Sequence, residues 1–420
     1  MATTARPQLD ERLGAPADAF EESRAMATLR ALCAPELTGR AVGTPGHDRA
    51  TELLIGAFGA LGLETTRRTF PVPGVLRLGA PPVLTVDGPV SSRRLEHRRD
   101  YAAHPRSAPM DEAVEGRVAR WDGTPRPGAW TALEGAPRAG DLARLAAAVR
   151  RGGGVGLLVA QLPDGSGFLT KRVTGVPVEV PVIAVRADLL ADLLAGGDAS
   201  TVRALVPLRR ETVTATNVLA LLPGADPALA ARPVLLSAHY DGVGDDPDRR
   251  FPCAGDNASG TAVLLEVART LTAHRFRPAR PLMFAALDAE EAGSQGSRRH
   301  AEELLAAGLR PDVVNLDMAG KFNGAVAVDL GPGSRLIEDV LDRAGRALAV
   351  PLALAPVVSD NRRYAAAGLA VAGLGLGAAH YHSPLDAPDR IEPGALRRAG
   401  RLLLVSAALL ALDPPPHHGT

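Results

Sequence analysis

The stretch Leu236-Ser237-Ala238-His239-Tyr240-Asp241 decides what fold and what chemistry we expect of this chain. The mostly apolar run 233–238 predicts a short buried strand. The strand ends on His239, a potential metal ligand, and the carboxylate of Asp241 follows two residues later. Buried polar side chains need partners, so the end of this strand is a candidate functional site if other acids or histidines meet it there.

Four later segments place acids or histidines at comparable points in the chain. They are Gly255-Asp256-Asn257-Ala258-Ser259-Gly260, Asp288-Ala289-Glu290-Glu291-Ala292-Gly293, Asn315-Leu316-Asp317-Met318 and Tyr381-His382-Ser383-Pro384. Several strands of one protein seldom end on such residues unless the ends converge on a metal ion. The set therefore predicts a metal site.

From Thr216 onward, short apolar segments alternate with helical ones. Strands are predicted at 218–222, 234–238, 282–287, 313–316, 326–330 and 371–376, and helices at 259–273, 297–307, 335–349 and 394–412. This alternation is typical of an α/β domain with a mostly parallel mixed sheet covered by helices on both faces. Ligands bind such sheets beyond the carboxyl ends of the strands, where we expect His239, the acids at 288–291 and Asp317.

The rest of the chain predicts a second, inserted domain. Helices are expected at 19–34 and 46–61 and an edge strand at 65–72, but short strands, turns and prolines then prevail from about Gly74 to Arg210. Within that block we expect strands at 114–119, 155–160 and 180–185, and helices at 141–151 and 187–194. We therefore assign residues 1–74 and 211–413 to the α/β domain, 75–210 to the insert, and 414–420 to a disordered tail.

Composition excludes several classes of partner. The 420 residues include 47 Lys+Arg and 47 Asp+Glu, so a net charge of zero gives no reason to expect nucleic acid or an anionic membrane. No run approaches the ~20 apolar residues of a membrane span. The polar first 15 residues lack the apolar core of a secretory signal, so we expect a cytoplasmic protein. Cys33 and Cys253 form no disulfide framework and are expected in the core.

The acids and histidines supply what a dinuclear metal site needs, namely a shared carboxylate, further ligands on each side and a base for the attacking water. Asp256 lies in a glycine-flanked loop and could bridge, while adjacent Glu290 and Glu291 could divide base and ligand roles. Taken singly, each has a structural explanation. Asp256 could cap a helix, His239 could be a hydrogen-bonded core residue, and the glutamates could be a solvated pair. Their combination favours the metal site.

These segments resemble the M28 family of zinc peptidases, whose best-known members are dizinc aminopeptidases. The resemblance covers all five segments in order and approximate spacing, with Gly296-Ser297 beside them and Leu37-Thr38-Gly39-Arg40 and Gly43-Thr44-Pro45-Gly46 upstream. The insert is similar to a protease-associated (PA) domain at Val114-Glu115-Gly116-Arg117-Val118 and Val180-Pro181-Val182-Ile183. The expected fold is therefore zinc aminopeptidase-like with a smaller, β-rich PA-like insert.

The resemblance implies two zinc ions and assigns their protein ligands. Asp256 would bridge the ions, His239 and Asp317 would complete one site, and Glu291 and His382 the other. Manganese or cobalt could replace zinc in such a carboxylate-rich site.

The resemblance also implies the catalytic residues. Glu290 would be the general base that takes a proton from the attacking water, and Asp241 would orient His239. Of the two late histidines, His382 and not His380 fits the motif. The family often has Ser-Asp-His where this chain has Ser359-Asp360-Asn361, so substrate specificity does not transfer.

Three functions remain open on the sequence. The leading one is an aminopeptidase that releases N-terminal residues from peptides. The second is a dizinc amide hydrolase or deacylase acting on a small metabolite or modified peptide, with single-zinc glutaminyl cyclisation a lesser variant. The third, of another class, is a non-catalytic peptidase-like binding protein. The insert is expected to narrow access to the cleft, whereas the oligomeric state and the preferred N-terminal residue are not determined.

Overall fold

The computed structural model describes residues 17–88, 92–195 and 200–412. The tail predicted at 414–420 and the first 16 residues of the predicted α/β domain lie outside these ranges. Within them, no helix combines the length and the apolar character needed to cross a membrane.

The larger sheet has eight strands in the order β1-β10-β12-β11-β13-β16-β14-β15. Its strands are β1 Glu64–Leu78, β10 Leu208–Leu222, β11 Val234–His239, β12 Leu282–Leu287, β13 Asp312–Ala319, β14 Val326–Leu330, β15 Leu352–Leu354 and β16 Val371–Gly377. The centre, β12-β11-β13-β16, is parallel, whereas β10 joins β12 and β14 joins β16 antiparallel. The expected mixed sheet with a parallel core is confirmed.

Nine helices of the described residues surround the two sheets. They are α1 Glu22–Leu32, α2 Pro45–Ala60, α3 Ala139–Arg151, α4 Ala187–Ala195, α5 Ser259–Ala273, α6 Gln295–Ala306, α7 Arg335–Leu348, α8 Asn361–Ala366 and α9 Pro393–Leu412. In β11, Leu236 packs into the core formed with α1, α5, α7 and α9, and Leu235 packs on the opposite face with α6 and α8. This period of two gives the sheet two buried faces, so helices cover both, as predicted.

The smaller sheet comes from residues between β1 and β10. Its order is β3-β2-β9-β5-β6-β7-β8-β4. The strands are β2 Val83–Asp87, β3 Ser92–Arg94, β4 Tyr101–Ala103, β5 Val114–Arg120, β6 Ala129–Leu133, β7 Gly156–Gln161, β8 Val182–Arg186 and β9 Thr201–Leu205. Helix α4 packs with one apolar core of this sheet and α3 with another. The insert thus has its own core.

A two-stranded ribbon joins the sheets and corrects two predicted boundaries. Strands β1 and β10 pair antiparallel from Glu64 opposite Leu221 to Leu78 opposite Leu208. The sequence predicts that the first of these strands ends at Val72, because Pro73 and Gly74 interrupt the pattern there. It predicts that the second begins only at Val218. The register instead shifts between Val72 and Val75, since a bulge accommodates residues that would break a regular ladder. The predicted domain boundaries therefore fall within a continuous ribbon.

The sequence also misplaced or missed shorter elements. Asp317 was expected to follow its strand but lies inside β13, which continues to Ala319. Helix α8 and the six short strands β2, β3, β4, β6, β9 and β15 were not predicted. Most are too short for periodicity to distinguish them from turns.

Candidate metal centre

Two parallel strands bring the first pair of site residues together. His239 is the last residue of β11, and Asp317 lies in β13. Their register places Ser237 opposite Asn315, so the side chains two residues further on meet at the carboxyl end of the sheet. His239 Nε2 lies 3.4 Å from Asp317 Oδ1.

The carboxylate of Asp256 faces both histidines. Its Oδ1 lies 3.2 Å from His239 Nε2 and its Oδ2 lies 3.0 Å from His382 Nε2. Asp256 belongs to the short turn Ala254–Ala258 that precedes α5. One carboxylate with an oxygen directed at each of two neighbouring sites has the arrangement that a bridging ligand requires.

The second group of donors comes from two loops. Glu291 follows β12, and His382 follows β16; Nε2 of His382 lies 3.0 Å from Glu291 Oε2. The ring of Tyr381 stacks on the imidazole of His382 with centroids 3.7 Å apart. The structure therefore assembles two buried or half-buried groups, His239–Asp256–Asp317 and Asp256–Glu291–His382, whose donor atoms lie within 4.8 Å of one another.

These donors fit a pair of zinc ions. Neighbouring ligand atoms on a tetrahedral zinc ion are about 3.3 Å apart, close to the separations seen here. His239 Nε2 and Asp317 Oδ1 are buried and have no hydrogen-bond partner. In the described part of the chain, only histidines form ion pairs with these carboxylates. A cation would complement these donors.

Asp241 organises the loop of the two glutamates. Its Oδ1 accepts a hydrogen bond from the backbone N–H of Glu290 (3.0 Å) and its Oδ2 one from that of Glu291 (3.1 Å). Oδ1 also lies 3.4 Å from His239 Nδ1. The Ser294 hydroxyl donates to Glu290 Oε1 at 3.0 Å. Asp241 thus fixes the backbone of the two glutamates and lies beside His239.

Burial governs the proton affinities around the centre. Burial raises the pKa of Glu290 well above its usual value, against the opposing field of His239. Burial disfavours the charged form of His239, but Asp317 and the neighbouring carboxylates outweigh it and raise the His239 pKa. His382 behaves in the same way through Glu291 and Asp256. The neighbouring carboxylates thus create a negative potential around the two histidines, and this potential favours binding of a cation.

Two further buried acids, Asp386 and Asp360, were not predicted as candidate site residues. Asp386 accepts hydrogen bonds from the backbone N–H groups of Gly255 (2.6 Å) and Asp256 (3.1 Å) and thereby holds the bridging loop. Asp360 is fully buried. Burial raises the pKa of each to about 7. Asp386 stands four residues after His382 in a loop, and no local pattern links it to Asp256.

The upstream segment that contains Arg40 contacts the backbone of two loops of the centre. Arg40 is fully buried. Its guanidinium donates to the carbonyl oxygens of Tyr240 (2.7 Å) and Cys253 (2.7 Å), on the two loops that carry Asp241 and Asp256. The N-terminal segment thus ties the ligand loops together.

Two candidates lie outside the centre. Asn361, at the position where the family often has histidine, donates to Asp329 Oδ2 at 3.2 Å and is a structural contact. His380 belongs to neither group of donors in the described residues. Cys33 and Cys253 are buried free thiols, as expected.

A third cluster joins the insert to the larger domain. His97 Nδ1 lies 3.0 Å from Asp248 Oδ1, with Asp246 nearby. Asp246 is already paired with Arg98 (2.7 Å) and Lys171 (2.8 Å). These two cations neutralise it, so we interpret this cluster as an ionic contact between the two domains.

Comparisons with known proteins agree with this architecture. Residues 217–407 match the model of Peptidase family M28. Aminopeptidase YwaD of Bacillus subtilis (strain 168) is 30% identical over 156 residues, which are 36% of this chain and 31% of that protein. The chain spans less than a third of the length of the first curated relatives that it matches.

Solved structures share the fold over nearly the whole chain. BSAP, a zinc aminopeptidase from Bacillus subtilis, superposes with a TM-score of 0.72 at 20% identity, covering 94% of this chain and 96% of that one. The peptidase M28 precursor from Shewanella amazonensis SB2B gives 0.73 at 20% identity, covering 96% and 98%. The match to Peptidase family M28 thus spans residues 217–407, the part of the chain that includes every donor described above.

Proposed function

We propose that the protein is a dizinc aminopeptidase that hydrolyses the N-terminal peptide bond of peptides. The observation that carries the proposal is Asp256, whose two oxygens face His239 and His382 from a single carboxylate. The match of residues 217–407 to Peptidase family M28 supports the same chemistry, and both YwaD and BSAP, to which the chain is similar, are aminopeptidases.

Each ion would have its own set of ligands. His239 and Asp317 would hold one, Glu291 and His382 the other, and Asp256 both. When bound, the ions would act as Lewis acids toward the scissile carbonyl and would acidify the attacking water.

Glu290 would move the proton. Its Oε1 accepts a hydrogen bond from Ser294, which leaves Oε2 to take a proton from the attacking water and return it to the leaving nitrogen. The hydrogen bond from the Glu290 N–H to Asp241 fixes the backbone from which the Glu290 side chain extends. Glu291, whose side chain is directed at His382, is left to serve as a ligand.

We also propose that residues 75–210 form a PA-like domain that restricts access to the centre. Residues of this insert and of the larger domain line one cavity of about 570 Å³ that includes Glu290 and His382. A cleft of that size suits short peptides better than a folded chain.

The test is a peptide library incubated with the zinc-loaded enzyme and followed by mass spectrometry. Half of the peptides carry free amino termini and half are acetylated. We expect stepwise trimming of the free peptides only, with the rate lowered about 10²- to 10⁴-fold by Glu290→Gln. The matched control is Glu338→Gln, on the exposed side of α7.

Other products would select another function. Cleavage of acylated small amides with no trimming would favour the deacylase. No turnover of either class by protein that binds two zinc ions would favour the non-catalytic binding protein.

A further inference from the structure

Two cavities of different character meet at Glu290. One, of about 590 Å³, is lined by Asp256, Asp317 and then by small and apolar side chains that include Val357 and Leu376. The other, of about 570 Å³, lies beneath the insert. Because the proposed base lines both cavities, a substrate cleaved beside it would extend into each of them.

Three arginines line the cavity beneath the insert: Arg106, Arg172 and Arg363. The acids in its lining are Glu290 and Glu291, which belong to the centre. With those two committed to catalysis and metal binding, this cavity presents uncompensated positive charge to whatever enters it.

Arg172 is the most available of the three. Its side chain is exposed, and within the described parts of the chain no carboxylate pairs with its guanidinium. Its position is fixed by the preceding residue, since the Lys171 N–H donates to the carbonyl oxygen of His382 at 3.0 Å. Arg172 thus follows directly on a contact with the centre.

The other two arginines are anchored through carbonyl groups. Arg106 Nε donates to Val176 O at 2.9 Å, and Arg363 Nη2 donates to Gly293 O at 2.8 Å. Gly293 in turn donates its N–H to the carbonyl oxygen of Glu290 at 2.8 Å. Neither anchor neutralises the guanidinium charge, so both side chains keep an attraction for anions.

Charge also orients the substrate between the two cavities. A free amino terminus would be repelled by the three guanidinium groups of the cavity beneath the insert. The N-terminal residue would therefore occupy the apolar cavity, and the part beyond the scissile bond would face the arginines.

We propose that the arginine-lined cavity selects substrates that carry a carboxylate just beyond the scissile bond. This inference rests on the proposed aminopeptidase function and names its preferred substrate class. The carboxylate could be the C-terminus of a dipeptide or the side chain of an acidic second residue. Both present the same group to Arg106, Arg172 and Arg363.

Matched substrate pairs distinguish the two sources. With zinc-loaded enzyme, kcat/KM is compared for Leu-Ala and Leu-Ala-amide, and for Leu-Glu-amide and Leu-Gln-amide. Leucine p-nitroanilide, which has no carboxylate, tests aminopeptidase activity itself. We expect the charged member of at least one pair to be preferred, and 0.5 M NaCl to lower that preference.

Variants assign the preference to the cavity. An exposed guanidinium contributes up to about fivefold, so Arg172→Gln should lower the ratio of charged to neutral substrate by a few-fold, and Arg363→Gln similarly. Arg203→Gln, at an exposed position of β9 in the insert, should leave the ratio unchanged.

The outcomes separate the inference from the proposed function. If leucine p-nitroanilide and all four peptides resist the enzyme, the aminopeptidase proposal fails. Hydrolysis with ratios near one in both pairs overturns only the carboxylate preference. A preference that neither Arg172→Gln nor Arg363→Gln reduces overturns its assignment to this cavity.

Discussion

The backbone N–H of Lys171, in the insert, donates a hydrogen bond of 3.0 Å to the carbonyl oxygen of His382, a proposed zinc ligand. The same lysine is buried, and its Nζ lies 2.8 Å from Asp246 Oδ1 and 2.7 Å from Gly244 O in the larger domain. The insert therefore touches the centre through a residue whose side chain fixes the two domains together.

Lys171→Met should loosen this contact. Removing one partner of a buried ion pair leaves Asp246 with less compensation, which costs on the order of 3 kcal/mol of the free energy of unfolding. Urea unfolding measures it. Lys321→Met, at an exposed position, should change stability little. Equal stability of the two variants would show that Lys171 does not couple the domains.

Metal content should depend on which carboxylate is altered. Asp317→Asn removes a donor from one group and should leave about one tightly held zinc per chain, whereas Asp256→Asn weakens both sites because its two oxygens face both histidines. Metal analysis after dialysis gives the stoichiometry, with two zinc ions expected in the unaltered protein. Loss of a single ion from Asp256→Asn would argue against a shared carboxylate.

Asp241→Asn should reduce zinc affinity or activity by about 10- to 100-fold. The amide keeps one acceptor oxygen, so the N–H of Glu290 or of Glu291 loses its partner. Chelator competition reports zinc affinity, and kcat reports the chemical step. Asp339→Asn, exposed on α7, is the control. Values matching the control would contradict the positioning role.

The stability of metal-free protein should fall as the pH is lowered, in part through His300. Burial, with a contribution from Arg68, lowers the pKa of His300 to about 4, and the unfolded chain has a value near 6.5. The unfolded state therefore binds more protons between these values, and the neutral histidine's contribution is lost as pH falls through about 6.5 and levels off below about 4.

His300→Gln isolates this contribution. Urea unfolding in chelator at several pH values between 8 and 4 should show the stability difference between the two proteins shrinking as pH falls. The chelator removes the separate effect of acid on zinc binding. Parallel curves for the two proteins would mean that His300 titrates alike in both states.

Local sequence patterns predicted many of the helices and strands of the larger domain. Helix α5 and strands β12 and β14 have the predicted bounds, since apolar periodicity and strand length are local properties of the chain. The predicted end of β1 at Val72 was wrong. Pairing with β10 continues the strand past the bulge at Val72–Val75, although the local residues would end it. The acids and histidines at the strand ends could be recognised because each directly follows a short apolar run in the sequence.

The sequence by itself determined the alternation of strands and helices and the residue types available for a metal centre. Only the tertiary structure decided that Asp256 offers one oxygen to each histidine, that Asp386 holds the loop of Asp256, and that Arg172 of the insert lines the cavity at Glu290. These relations join residues far apart in the chain. They follow from strand order and domain packing, which local patterns do not encode.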